Sequence, residues 1–225
     1  MMNSAEQSLR FETRDEMLSL VPHNARIAEI GVFNGDFSAK LLDRCRPSEL
    51  VLLDLWPDCE IMSGDVDGNH QRTFQGRELE SAVRDRFRDQ PNITILKGYS
   101  SRIREFPENH FDAIYVDADH GYHGVRQDLA NAWHVLKNGG WLMGHDYEFN
   151  RSKTMLDIPF GVHAAVTDFC RDHQEQIHAL GMDGCVSYAI QVHKTGRFRR
   201  PMISLRSIAT ELRNQARRVR RLLSG

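Results

Sequence analysis

Short apolar runs, each reaching a glycine or an acid and each followed by a segment of helical periodicity, set the limits on what this chain can fold into. They are "RIAEIG" (26–31), "LVLLDLW" (50–56), "NITILKG" (92–98), "FDAIYVDA" (111–118) and "WLMGHDY" (141–147). A run that is apolar at successive positions suits a strand buried on both faces, and strands alternating with helices build a parallel sheet covered on both sides. Two further strands are expected near "EQIHALG" and "CVSYAIQVH", joined by the turn-prone "MDG", with the last pair antiparallel. The expected fold class is therefore α/β, a doubly wound seven-stranded mostly parallel sheet with helices on both faces.

The helical segments fall between these runs. Thr13 with Glu16 three residues on forms a capping pattern for a first helix over 12–21, which Pro22 ends. A second helix is expected from Asp36 to Arg44, and a third in "ELESAVRDRFRDQ". Val125, Leu129, Ala132, Trp133 and Leu136 recur at helical spacing, with "KNGG" as the closing turn. A last helix is expected over 159–172. The polar stretch 57–76 has no periodicity and is expected to be a lid loop. Its Asp65, Asp67 and Asn69 alternate as calcium ligands do, but glycine falls at the fourth position and Gly76 stands where the loop's closing glutamate would be needed, which excludes an EF-hand.

With 225 residues and 40% hydrophobic composition, one substantial core accounts for residues 1–196. The first twenty residues are charged, and nowhere do about 18 apolar residues run together, so a soluble, cytoplasmic chain is expected. The four cysteines form no C-x-x-C pair, which argues against a disulfide framework or a thiolate zinc site.

In an open α/β sheet, ligands bind beyond the carboxyl ends of the strands. "EIGVFNGDFS" places Gly31 and Gly35 in the turn after the first run, where a missing Cβ permits a tight bend and a close approach. An ordinary strand-to-helix turn would look the same. Asp54 ends the second run, where a carboxylate can accept from both hydroxyls of a ribose. The absence of G-x-G-x-x-G argues against a pyrophosphate-binding dinucleotide site.

Taken together, "IAEIGVFNGDFSAKLL", "LVLLDLW" and "VLKNGGWLMGHDY" resemble the motifs of a class I S-adenosylmethionine-dependent methyltransferase, over Arg26 to His193. More narrowly, "NHFDAIYVDADHGYHGVRQDLANAWHVLKNGGWLMGHDY" and "FGVHAAVTDF" resemble the branch of macrocin-type sugar O-methyltransferases, related to catechol O-methyltransferases. The resemblance implies S-adenosylmethionine as cofactor, with Glu29 and Gly31 bordering its methionine part, Asp54 on the ribose, and Tyr99 and Ser100 near the adenine. It implies a magnesium or manganese site at Asp117, His145 and Asp146, with Asp117 also a substrate ligand and His120 the base. Relatives carry an acid where His145 stands, and imidazole is a poor magnesium ligand. Histidine titrates near neutrality, so it can take a hydroxyl proton. Asp119 reads equally well as a helix-capping surface residue, and His123 and His134 as solvated or packed.

Residues 197–225 carry nine arginines and one glutamate, a charge of +8 against –10 for the remainder. Leu205, Ile208, Leu212, Ala216, Val219 and Leu223 give a basic amphipathic helix. Such a helix docks on its own chain or on a second subunit as a homo-oligomer contact, or lies as a peripheral element on an anionic membrane. Nucleic acid ranks last among its partners, because no aromatic residue follows Phe198. The function expected is O-methylation of a sugar or a small glycosylated molecule, assisted by a divalent metal. The competing expectations are a nicotinamide-dependent oxidoreductase and a non-catalytic adaptor that keeps the fold.

Overall fold

A computed structural model describes residues 8–63, 72–148 and 161–194. All of the described residues belong to one compact unit, and the expected basic helix over 197–225 lies outside them. Among the described residues, no helix is long and apolar enough to cross a membrane.

This unit is built on one eight-stranded sheet. Its strands are β1 (Leu9–Phe11), β2 (Arg26–Ile30), β3 (Glu49–Asp54), β6 (Ile93–Lys97), β7 (Phe111–Val116), β8 (Leu136–Glu148), β9 (Ala179–Gly181) and β10 (Val186–Gln191). Their order across the sheet is β1-β9-β10-β8-β7-β2-β3-β6. Pairing is parallel except at β10, which runs antiparallel to both β8 and β9. The chain winds outward from β2 through β3 to β6, then returns to β7 on the other side of β2. This reversal opens a crevice at the carboxyl ends of β2 and β7.

Side-chain alternation assigns each strand residue to one of two core layers. Ala28, Ile30, Val51, Leu53, Ile114 and Val116 face α4 (Tyr122–Val135) and α5 (Val162–His173), packing on Leu129, Ala132 and Phe169. Ile27, Leu50, Leu52, Ala113 and Tyr115 face the other way, toward α1 (Arg14–Met17), α2 (Asp36–Cys45) and α3 (Gly76–Arg86), packing on Met17, Leu41 and Val83. Burying each such aliphatic side chain contributes roughly 1.5–3 kcal/mol, so both layers are needed to offset the ordering of the chain.

Three expectations change on contact with the fold. The sheet has eight strands, not seven: "LRF" is too short for a periodic signal, yet it pairs with β9 from Leu9↔Ala179 to Phe11↔Gly181. The first helix is capped by Thr13, whose Oγ1 accepts from the Glu16 N–H at 3.2 Å, but it tightens to a 3₁₀ turn over Leu18–Leu20. "KNGG" is not a helix cap. α4 ends at Val135, and the pairing of β8 with β7 jumps from Leu136 to Trp141, so these residues bulge out of the strand.

The stretch 57–76 is not structureless either. It contains an antiparallel hairpin, β4 (Glu60–Ser63) and β5 (Arg72–Gln75), whose connection, 64–71, lies outside the described residues. Phe74 meets Phe33 edge-on at 5.2 Å, which fixes the hairpin's base against the turn that follows β2.

Candidate active site at the carboxyl ends of β2, β3 and β7

A cleft of about 1250 Å³ opens at the strand ends, with Glu29, Gly31, Asp54, Tyr99, Ser100, Asp117 and His120 among its lining residues. Gly31 sits at φ +93°, and a Cβ there would stand 2.0 Å from the Asp117 carbonyl oxygen. The glycine is therefore required by the neighbouring strand end, where the Asp117 N–H donates to the Ile30 carbonyl at 2.7 Å. Gly35 caps α2 with φ +78°, and its Cβ position faces the Phe87 ring. It shapes the turn from behind and is not among the residues lining the cleft.

Asp54 holds that turn in place. Its Oδ2 accepts from the Val32 N–H at 2.7 Å and the Phe33 N–H at 2.8 Å, and its Oδ1 accepts from the Trp56 N–H at 2.8 Å. A carboxylate has about four acceptor positions, so three are taken by backbone and one remains at Oδ1. The carboxylate expected from sequence to hold a ribose thus also binds the backbone of the turn. Trp56 itself is buried, and its indole Nε1–H donates to the Phe33 carbonyl at 2.9 Å, locking the same loop from below.

Glu29 lies 1% exposed at the end of β2, with the Ser38 hydroxyl donating to its carboxylate. Burial pushes its pKa up to about 8; the Ser38 hydrogen bond opposes this, while the charges of Asp117 and Asp54 add to it. A buried acid poised this way ionises readily only when a cation comes alongside.

The end of β7 meets the end of β8 at a cluster of acids and histidines. Asp117, His120 and Asp146 can each turn one ligand atom into a common space where all lie within 4.8 Å of one another. His120 Nδ1 is 3.3 Å from Asp146 Oδ2. His145 is beside this group: its Nδ1 lies 3.3 Å from Asp146 Oδ1 and 3.9 Å from Asp117 Oδ2. Successive strand residues normally face opposite sides, yet His145 and Asp146 both reach the cluster. The reason is local: Asp146 adopts φ +57°, and the pairing of β8 with β10 is irregular between Val186 and Tyr188. Burial and the neighbouring Asp146 charge push the Asp117 carboxyl above the usual range, against the opposing charges of His145, His120 and Arg14. Burial acts on Asp146 in the same sense, but the hydrogen bond from His145 and the charges of both histidines outweigh it and leave Asp146 below the usual range.

Asp119 takes the capping role read from sequence in modified form: its Oδ1 accepts from the Gly121 N–H at 2.6 Å, closing a turn ahead of α4. Asp128 and Arg14 are among the lining residues that carry no assignment from sequence. Asp128 is a buried acid whose Oδ2 has no partner, on the face of α4 that also carries Val125 and Leu129; an acid interrupting an apolar stripe was the available signal. Arg14 enters from the amino-terminal segment, and no local pattern foretells a contact with Asp117 about a hundred residues away.

An open α/β sheet with an acidic crevice at its topological switch point defines a protein that binds a small ligand there. A family profile described as "Methyltransferase domain" matches residues 28–147, and the chain belongs to this family. No curated protein matches the sequence. Among solved structures, the O-methyltransferase TomG from Streptomyces achromogenes, in complex with SAM, is 17% identical over 79% of this chain and 77% of its own, with a TM-score of 0.52. A SAM-dependent methyltransferase from Aquifex aeolicus is 14% identical over 80% of this chain and 91% of its own, with a TM-score of 0.54. Fibrillarin from Aeropyrum pernix, with natively bound S-adenosyl-L-methionine, is 16% identical over 75% and 67%, with a TM-score of 0.53. These likenesses establish a shared Rossmann-like fold.

Proposed function

We propose that the chain is an S-adenosylmethionine-dependent O-methyltransferase that acts on a hydroxyl of a sugar or a small glycosylated molecule. The observation that carries the cofactor is the charge of the cleft: Glu29, Asp36, Asp54, Asp117, Asp119 and Asp128 line it against one arginine. Such a surface favours a ligand carrying a sulfonium and an ammonium group, and it repels the pyrophosphate of a nicotinamide dinucleotide. In this reading Glu29 faces the ammonium, Asp54 the ribose, and Tyr99 with Ser100 the adenine. The acceptor class rests on the sequence resemblance across "VDADHGYHGV".

His120 serves as the base, with its ring oriented through Nδ1 by Asp146. It takes the acceptor's hydroxyl proton as the oxygen attacks the sulfonium methyl in line, and S-adenosylhomocysteine leaves. Asp117 and Asp146 would supply the carboxylate oxygens that a divalent cation needs, and the His145 imidazole beside them suits manganese better than magnesium. Such an ion lowers the pKa of a coordinated hydroxyl.

Calorimetric titration of the protein with S-adenosylhomocysteine, in chelator and then with manganese or magnesium, tests this reading. Micromolar binding is expected in both buffers, and activity with a panel of sugar acceptors should depend on the ion. Absence of binding in either buffer overturns the cofactor assignment, and tight NADH binding would replace it.

A further inference from the structure

Among the described residues lining the cleft, Arg14 is the one lysine or arginine, and it lies outside the 28–147 stretch that the family profile matches. It is brought there by a strap at the edge of the sheet. The Leu9 N–H donates to the His178 carbonyl at 2.8 Å, and the Met182 N–H to the Phe11 carbonyl at 3.1 Å. The Arg14 N–H donates to Asp183 Oδ1 at 2.8 Å, and Met17 and Leu18 bury themselves just beyond. Gly181 permits this approach, because a Cβ there would come within 3.0 Å of the Arg14 backbone.

So fixed, the side chain reaches from the sheet edge into the cleft beside Asp117. Its guanidinium lies 4.6 Å over the Phe37 ring, which leaves the edge of the fork to make hydrogen bonds. The nearest carboxylate oxygens are 3.6 Å away on Asp117 and 4.0 Å on Asp183, both beyond hydrogen-bond length. Arg14 is thus held by these charges and by a hydrogen bond that it donates to the buried Tyr115 hydroxyl, and no carboxylate engages it as a bidentate partner.

We propose that Arg14 binds the carboxylate of the cofactor's amino-acid end, and that the amino-terminal strap is therefore part of the cofactor site. The inference rests on the cofactor reading given above. S-Adenosylmethionine carries two positive groups and one carboxylate. The acids of the cleft attract the first two and repel the third, so the carboxylate needs a cation near Glu29 and Asp117, and Arg14 supplies it. A planar fork matches a carboxylate with two parallel hydrogen bonds, which a lysine cannot reproduce.

The test uses the full chain, its Arg14→Gln and Arg14→Lys variants, and two ligands: S-adenosylhomocysteine and the analogue that lacks only its carboxylate. Arg14→Gln should weaken S-adenosylhomocysteine about 10- to 100-fold, as loss of a charge-assisted bidentate pair does, and leave the decarboxylated analogue unchanged. Arg14→Lys should fall between. Equal weakening of both ligands, or of neither, overturns the proposal, because a purely structural arginine would not distinguish them. If Arg14→Gln does not fold, the same comparison is read from Arg14→Lys. Failure of the unmodified protein to bind either ligand would instead refute the cofactor reading, so the two failures are separable.

Discussion

Three backbone N–H groups converge on the Asp54 carboxylate, from Val32, Phe33 and Trp56. The residue proposed to hold the ribose is thus also the fastener of the turn that shapes the cleft. Replacing it by alanine leaves these donors without their acceptor, at about 1–3 kcal/mol for each one that water cannot reach. Asp54→Ala should therefore lower the thermal midpoint as well as cofactor affinity; an unchanged midpoint would mean the turn holds without it. Glu29 makes a second residue-scale prediction. Its folded pKa, near 8, lies above the ordinary 4.5, so between these values the folded protein keeps a proton that the unfolded chain has released. Stability of the ligand-free protein should then fall as pH rises across that window, while Glu29→Gln, which cannot ionise, escapes the fall. Urea midpoints at pH 5 and pH 8 should diverge between the two, at up to about 1.4 kcal/mol per pH unit. Parallel curves would show that Glu29 is solvated. The acids at the strand ends were legible in sequence because each closes an apolar run. Their partners were not: two of the three N–H groups held by Asp54, those of Val32 and Phe33, lie more than twenty residues upstream, and only the fold brings them near.

At the scale of elements, two glycines with similar backbone angles should behave very differently. Gly31, at φ +93°, would drive a Cβ into the Asp117 carbonyl, so β2 and β7 would have to separate at the site; Gly139, at φ +79°, has nothing within 4 Å. Gly139→Ala should cost only the backbone penalty of about 1–2 kcal/mol. Gly31→Ala should cost more than about 4 kcal/mol and abolish cofactor binding, as judged by urea unfolding and calorimetry. Equal costs would show that the two strand ends are not in contact. The core strands were readable as elements because burial on both faces leaves continuous apolar runs, as in β3 and β7. β1 and the β4–β5 hairpin were not, since three- and four-residue strands at an edge carry no period. The cluster of acids and histidines at the ends of β7 and β8 was legible only in part. The family resemblance implied His145 beside Asp146 as a ligand, whereas the turn after β7 brings His120 close to Asp117 and Asp146 as well.

Every site residue named here lies between 14 and 146, inside a unit that has both of its core layers. A chain ending at Lys194 should therefore keep the unfolding midpoint and S-adenosylhomocysteine affinity of the whole protein. A loss of either would make the basic segment 195–225 part of the working domain. The opposite end of the chain cannot be spared in the same way. β1 pairs only with β9, and β9 in turn is held by β10, so residue 9 waits for residue 179 and the strand after it. During synthesis from the amino terminus, the segment carrying Arg14 thus leaves the ribosome well before the strands that hold it, and is among the last parts of this unit to find its place. A cleft lined by Arg14 therefore lacks part of its wall until nearly the entire domain has emerged, and a chain cut short before β9 would never complete it.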